Sequence, residues 1–311
     1  INRIAKAGGI YEPGVFYCNT MFEGLKTMDT LVSDEKPKLL AEWKEKLENW
    51  KEKSKKTIDP ATLPKSDIKP VDIPMPKNIG VPIRLKGDQI KMDEVWKLID
   101  KKSLFKLSWG LRGKAGSESE EEHEELLSQW KIRIIREKLF EAEIVYGYFR
   151  CHNKDGKLLV ENPTGDNVTF DFPRSAKLEH LCLTDYFGEN DVVAFQSVTV
   201  GNRVADIIEQ WNNEDKYTDA YYLHGLAVEI AEALAEWINQ KIKSELNLEK
   251  SGLRYSWGFP SCPDVSQHSL VWKLLQPEKS GMTLTESGQI IPEQSTAAIV
   301  IHHPDAKYFV L

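Results

Sequence analysis

The chain has 311 residues, 41% hydrophobic and 29% charged, a balance that excludes wholesale disorder and suffices for one large domain or two smaller ones. Forty-eight acidic against 41 basic side chains leave a net charge of −7, which argues against a broad phosphate-binding surface, so nucleic acid is not an expected partner. No stretch approaches the roughly 20 apolar residues needed to span a bilayer, and the opening residues lack the apolar core of a signal peptide, so no membrane partner is expected and the composition is that of a cytoplasmic protein. The four cysteines, Cys18, Cys151, Cys182 and Cys262, show no Cys-x-x-Cys spacing and read as reduced, mostly buried thiols. The sequence opens on Ile1 rather than Met, which reads as a piece of a longer polypeptide.

In chain order, Gly14 to Cys18 is a short apolar run that reads as a strand. Met21 to Val32 follows with Phe22, Leu25, Met28 and Leu31 at helical spacing. Ser33 is placed to cap a charged amphipathic helix with a narrow seam of Leu40, Trp43, Leu47 and Trp50. One strand and one helix cannot satisfy their own backbone groups as a sheet, so this opening reads as the tail of a doubly wound domain whose body lies elsewhere. Six of the 15 prolines fall between Pro60 and Pro82. Each removes an N–H and drives its predecessor to an extended conformation, so residues 57–86 read as a semi-rigid linker between 1–56 and 87–311. The segment from about Gly87 onward is therefore expected to fold without residues 1–82.

Beyond the linker, Asp93 can cap one short helix and Ser103 another reaching Trp109, before a Gly-rich turn at 110–116. The acidic run from Glu118 to Glu125 leads a helix carrying Leu127, Trp130, Ile134 and Leu139, its acids favouring the helix dipole. Ile144 to His152, Lys157 to Glu161 and Asn167 to Phe172, separated by turn residues, read as an antiparallel meander. Val192 to Val200 adds a strand, Thr218 to Leu246 a long helix, and Ala297 to His302 with Tyr308 to Leu311 a final strand pair. Strands, an inserted helix and few βαβ alternations predict an α+β domain with a largely antiparallel sheet.

No pair among the seven histidines has helical metal-ligand spacing with an acid nearby, and no nucleophile elbow, Walker loop or dinucleotide fingerprint is present. No metal site and no catalytic residue are assigned. The densest irregular stretch is Gly252 to Asp264, with one arginine, three aromatics, two glycines and three prolines or cysteines close by. A rigid loop that presents a charged fork beside aromatic faces is suited to holding a carboxylate and a flat ring together; by composition alone it reads first as a packed surface loop with a structural arginine.

Four motifs carry a resemblance. Arg254-x-x-x-Gly258-Phe259-Pro260 with Cys262-Pro263-Asp264, then Trp272-x-Leu274-Leu275, Gly281-Met282-x-Leu284-Thr285-Glu286-Ser287, and His303-Pro304-Asp305-x-Lys307-Tyr308-Phe309 together closely resemble the C-terminal activation domain of cobalamin-dependent methionine synthases. Leu183 to Phe187, Ile230 to Glu236 and Phe105 to Lys114 are similar to the same family, so the resemblance runs from about Gly87 to Leu311. Val15 to Val32 resembles the last strand and helix of the family's cobalamin-binding domain.

What the resemblance implies is a C-shaped α+β domain with a twisted antiparallel sheet that binds S-adenosylmethionine, the methyl donor for reductive methylation of cob(II)alamin, with cobalamin held mainly by the upstream domain. The partners it implies are the cobalamin-binding domain of the same polypeptide and flavodoxin or an equivalent reductant. It also implies a fragment of a methyltransferase that does not make methionine alone. By resemblance the ligand contacts are Arg254, Gly258, Phe259, Ser261, Glu232, Asp100 and Tyr308. Read from pattern alone, Glu232 belongs to an acidic stripe with Glu229 and Glu236, Asp100 is a helix-end acid and Tyr308 a sheet aromatic. Phe259 stands where many relatives have Tyr, and Val265 where some have His; Glu249 matches the family's acid ahead of the arginine only after a one-residue shift. A second possibility is a module of another corrinoid protein that uses S-adenosylmethionine only to hold a conformation; the sequence upstream of Ile1 distinguishes the two.

Overall fold

The computed structural model describes Phe16, Cys18 and residues 21–55, 63–111, 118–177, 179–248 and 251–311. The chain divides into two compact units, Ile1–Leu63 and Pro64–Leu311. In the first, α1 (Met21–Leu31) and α2 (Lys36–Lys55) form as the periodicity predicts. Ser33 Oγ accepts from the Glu35 backbone N–H in the turn between them. Leu25 and Met28 on α1 are 56% and 59% exposed. The strand expected over Gly14–Cys18 lies mostly outside the described residues.

The second unit runs β1 (Ile83–Lys86), α3 (Met92–Trp96), α4 (Glu118–Glu137), β2 (Glu143–Lys154), β3 (Lys157–Val160), β4 (Val168–Phe170), β5 (Asp191–Thr199), α5 (Asn202–Asn213), α6 (Tyr217–Glu245), β6 (Leu253–Ser256), α7 (His268–Leu275), β7 (Thr283–Leu284), β8 (Ile290–Ile291) and β9 (Ser295–Ile301). Seven strands form one antiparallel sheet in the order β4-β3-β2-β5-β9-β6, with β1 alongside the start of β2; β7 and β8 pair separately. This is the α+β class expected from the sequence. Period-two side-chain alternation sorts the sheet into two faces. Ile144, Tyr146, Tyr148, Val192, Ala194, Val198 and Val300 bury against α4, α5 and α6, while Val145, Phe149, Val193, Phe195, Ala297 and Ile299 bury on the other face with Leu274 and Leu275 of α7.

Alanines at 227, 231, 233 and 235 let α6 lie close to the sheet, where Gln196 Nε2 donates to the Ala235 carbonyl at 3.0 Å. A Cβ on Gly225 would meet Trp109 and Ser108 at 3.0–3.1 Å, so the glycine admits the chain segment after α3. That segment differs from expectation. Asp100, not Ser103, caps the turn Lys101–Ser103, accepting from the backbone N–H groups of Lys102 and Ser103 and from the Ser103 hydroxyl. The helix then widens into a π-helical turn at Leu104–Ser108. Such turns redirect side chains, here Ser108 toward α6.

Residues 64–86, read from their prolines as a semi-rigid linker, fall in the second compact unit. Ile68 packs on one core and Ile73 and Ile83 on the other, with Leu85 9% exposed. Ser66 Oγ donates to Asp185 at 2.7 Å, His303 Nε2 donates to the Lys69 carbonyl at 2.8 Å, and the Gly80 N–H donates to the Tyr148 carbonyl. The His303 proton sits on Nε2 because Nδ1 accepts from the Asp305 N–H. Prolines forbid helix and interior strand, but they leave an extended chain free to bind a surface through carbonyls and side chains. The two units divide at Leu63 and Pro64, inside the stretch read as linker. Tyr308 to Leu311, expected to pair with β9, is irregular. The partner of β9 on that side is β6, in register Leu253 to Ile301 and Ser256 to Ala298.

Candidate functional site

Arg254 lies on the edge strand β6 opposite Val300. Val300 faces the long helices, and period two places Arg254 and Ser256 on that same face, toward α6. Glu229, Glu232 and Glu236 form one stripe of α6 at spacings of three and four residues. The two elements meet in an ion cluster. Arg254 Nη2 donates to Glu232 Oε2 at 2.7 Å and Nη1 to Ser256 Oγ at 3.3 Å, and Nε faces Glu236 Oε2 at 3.6 Å. The Arg254 side chain is 16% exposed and the two glutamate side chains 42% and 38%.

Tyr308 closes one side of the cluster. Its hydroxyl donates to the Arg254 carbonyl at 3.2 Å and its ring packs edge-on against Tyr255, whose own hydroxyl donates to the Lys307 carbonyl. Burial raises the Tyr308 pKa, with Arg254 acting against and Glu236 and Glu232 adding to the rise, so the phenol is held as a neutral donor. Glu229 is also raised, chiefly by burial, with the Asp100 and Glu232 charges adding to it and a 2.9 Å hydrogen bond from Ser108 opposing.

Beyond Tyr308 lies a cavity of about 590 Å³ lined by Phe259, Pro260, Ser261, Tyr308 and Phe309, with Ser175, Lys177, Glu179, His180 and Leu181 of a second loop. The turn that presents Phe259 is fixed from within. Gly258 adopts φ +97°, a conformation that disfavours any side chain, and its N–H donates to the Cys262 carbonyl at 2.9 Å. Phe259 is 54% exposed at the cavity mouth and Ser261 is 2% exposed behind it. The loop opposite is anchored by Arg174, which holds the buried Asp185 in a two-pronged ion pair and donates to the His180 carbonyl at 2.7 Å.

The structure thus brings together Arg254, Glu232 and Tyr308, and it places Phe259 and Ser261 with Tyr308 in the adjoining cavity. Gly258 acts through the backbone. Asp100 stands apart: its three hydrogen bonds go to its own turn, which fits the helix-end reading, and only its charge reaches the cluster, through Glu229. Glu249 lies outside the described residues. Sequence reading did not assign Glu236, Ser256, Ser108 or Arg174. The i, i+4 relation of Glu232 to Glu236 was a usable signal for the first, whereas the others depend on which elements meet. Among the described residues no group of three or more His, Cys, Asp or Glu is placed to hold a metal, and no helix is long and apolar enough to cross a membrane.

A guanidinium flanked by carboxylates thus stands beside an aromatic-walled cavity on an α+β domain. The sequence model of the family described as "Vitamin B12 dependent methionine synthase, activation domain" matches residues 91–311, and the chain belongs to that family. It is 31% identical over 357 aligned positions to the methionine synthase of Mycobacterium tuberculosis (strain ATCC 25618 / H37Rv), an alignment covering 96% of this chain and 30% of the relative. It is likewise 31% identical over 363 positions to the methionine synthase of Mycobacterium leprae (strain TN), with the same coverage. The chain therefore spans about 30% of the length of these curated relatives. Among solved structures, the crystal structure of the MetH reactivation domain bound to AdoHcy superposes with a TM-score of 0.66 at 20% identity, covering 77% of this chain and 83% of that one. At that identity the likeness establishes the fold.

Proposed function

We propose that this chain is the S-adenosylmethionine-binding part of a cobalamin-dependent methionine synthase. The observation that carries the reading is the shared wall at Tyr308: its ring lines the apolar cavity while its hydroxyl reaches the carbonyl of Arg254. One ligand can therefore place a charged amino-acid end in the ion cluster and a flat ring in the cavity.

S-adenosylmethionine carries a carboxylate, an ammonium and a sulfonium, and the residues present fit it. Among the described residues Arg254 Nη1 has only the 3.3 Å contact to Ser256 as partner, which leaves it open to a ligand carboxylate as a charge-assisted donor. Glu232 takes the ammonium as a unit opposite charge. Phe259, Pro260 and Tyr308 offer apolar faces to the adenine in a cavity of about 590 Å³, within the roughly 300–1,000 Å³ range of small-molecule sites. Phe259 has no hydroxyl, so it contributes contact area alone. Asp100 stays in the proposal only as a charge acting through Glu229. When bound, S-adenosylmethionine supplies an activated methyl group for reductive methylation of cob(II)alamin. This chain's own residues orient that donor and shield its apolar end from water. Cobalamin would be held by the cobalamin-binding domain of the same polypeptide, and flavodoxin or an equivalent reductant would supply the electron. The kinship with methionine synthases supports both partners, and a cytoplasmic location follows from the same kinship.

Titration calorimetry of the 311-residue chain with S-adenosylmethionine tests the reading. Arg254→Ala should weaken binding by about 2 to 5 kcal/mol, because a desolvated charge contact is lost and the ligand carboxylate is left unpaired. Lysine should restore only part of it. The fold should survive, since the two carboxylates left behind are more than a third exposed and pairs of that kind contribute about 1 kcal/mol or less. Unchanged affinity in a folded alanine variant would show Arg254 to be structural.

A further inference from the structure

The three nitrogens of Arg254 have three different partners, and the two carboxylates among them are held very differently. Glu232 has Arg254 Nη2 as its described hydrogen-bond partner. Glu236, one turn further along α6, is fixed from behind. Its Oε2 accepts from Asn239 Nδ2 at 3.3 Å and its Oε1 from Gln240 Nε2 at 3.3 Å, and Asn239 is itself 4% exposed. One acid is free to change partner and the other is anchored.

This asymmetry has a consequence for any ligand with a carboxylate and an ammonium on the same carbon. Such a group satisfies both halves of the Arg254–Glu232 pair at once, and it enters by separating them. Arg254 then loses its 2.7 Å contact to Glu232. What remains on the protein side is the Ser256 hydroxyl at Nη1, which the ligand also approaches, and Glu236 at Nε. A long side chain with no fixed partner regains rotamer freedom that binding must remove again.

We propose that Glu236 is the positioning residue of this site: anchored to α6 by Asn239 and Gln240, it holds Arg254 by Nε while the amino-acid end of the ligand takes over Nη1, Nη2 and Glu232. Glu236 does not touch the ligand. Its effect is confined to ligands that use Arg254, which are those with a carboxylate. The proposal rests on the reading of the site as one for S-adenosylmethionine.

The test compares S-adenosylmethionine with decarboxylated S-adenosylmethionine, which keeps the ammonium, sulfonium and adenosine and lacks the group that Arg254 holds. Binding of both is measured by calorimetry to the wild-type chain, to Glu236→Gln, to Glu236→Asp and to Glu236→Gln in the Arg254→Ala background, with thermal melts confirming each fold. Glu236→Gln should weaken S-adenosylmethionine about ten-fold, the scale of one lost charge-assisted contact, and leave the decarboxylated ligand within about two-fold. Glu236→Asp should recover part of the loss, and the Gln change should have no further effect once Arg254 is gone. If Glu236→Gln does not fold, the Asp variant carries the same comparison with a smaller loss. Equal losses for the two ligands, no loss for either, or a loss that persists without Arg254 would overturn the role of Glu236 while leaving the site reading intact. A wild-type chain that binds neither ligand would overturn both.

Discussion

Arg174 offers the sharpest test of how packing supports the site. The Arg174 and Asp185 side chains are 10% and 6% exposed and joined by two hydrogen bonds, one of them 2.8 Å, and Asp185 also accepts from Ser66 Oγ at 2.7 Å. Replacing Arg174 with Met keeps much of the apolar stem but strands a carboxylate that is out of water. Removing one partner of such a pair typically costs about 3 to 5 kcal/mol, far more than the net value of the pair, because the desolvated charge stays behind. Against a total stability of roughly 5 to 15 kcal/mol this is a large fraction. At about 2 to 4 °C per kcal/mol for a domain of this size, the melting temperature should fall by about 6 to 20 °C.

Changing Asp185 to Asn in the Arg174→Met background removes the stranded charge while keeping an acceptor for Ser66, and should return at least about 1 kcal/mol. Urea unfolding of the wild type and the two variants measures both quantities. Because Arg174 also holds the His180 carbonyl at the wall of the cavity, ligand affinity should fall with stability in the single variant. A loss below about 1 kcal/mol, or a second substitution that adds to the damage, would refute the argument that a buried, uncompensated charge dominates here.

Two further outcomes are expected. A fragment of residues 64–311 should unfold cooperatively, whereas one of residues 87–311 should aggregate or melt without a sharp transition, because it strips β1 from the Glu143–Tyr146 edge of β2 and uncovers the surfaces under Ile68 and Ile73; equal melting curves for the two would move the start of the folded domain to about Gly87. The Asp191 carboxyl is the subject of the second. Burial would raise its pKa, but His302 and the Gly188 and Val192 N–H groups together hold it below the usual carboxylate value. A depressed folded pKa contributes stability above the unfolded value near 4 and loses it as pH falls through the folded one. Asp191→Asn should therefore lower stability at pH 7 by about 1 to 3 kcal/mol and flatten the acid limb of melting temperature against pH below about 4; an unchanged limb would remove Asp191 from the acid response.

Where a pattern repeats within one element, the sequence alone determined the outcome. Alternation along 144–152 and 192–200 marks the two central strands, and the 3.6-residue recurrence of Leu223, Leu226, Ile230, Leu234 and Ile238 marks α6, because a buried face imposes its own period on the residues that cover it. The motif residues from Arg254 to Tyr308 likewise carried the family in the sequence itself. What only the tertiary structure decided is pairing over distance. β6 is four residues long and bears an arginine, so nothing local distinguishes it from a loop until β9 supplies its hydrogen-bond partners. The strap from Pro64 to Pro82 follows local rules that specify only an extended chain; its place on the domain comes from Asp185, His303 and Tyr148, more than 60 residues away. Asp100 and Glu232 are alike as carboxylates in a sequence, and it is the packing of α6 against the edge strand that pairs one with Arg254 while the other spends its oxygens on capping its own turn. Local energetics fixes periods and caps, whereas the partner of a charge is set by which surfaces burial brings together.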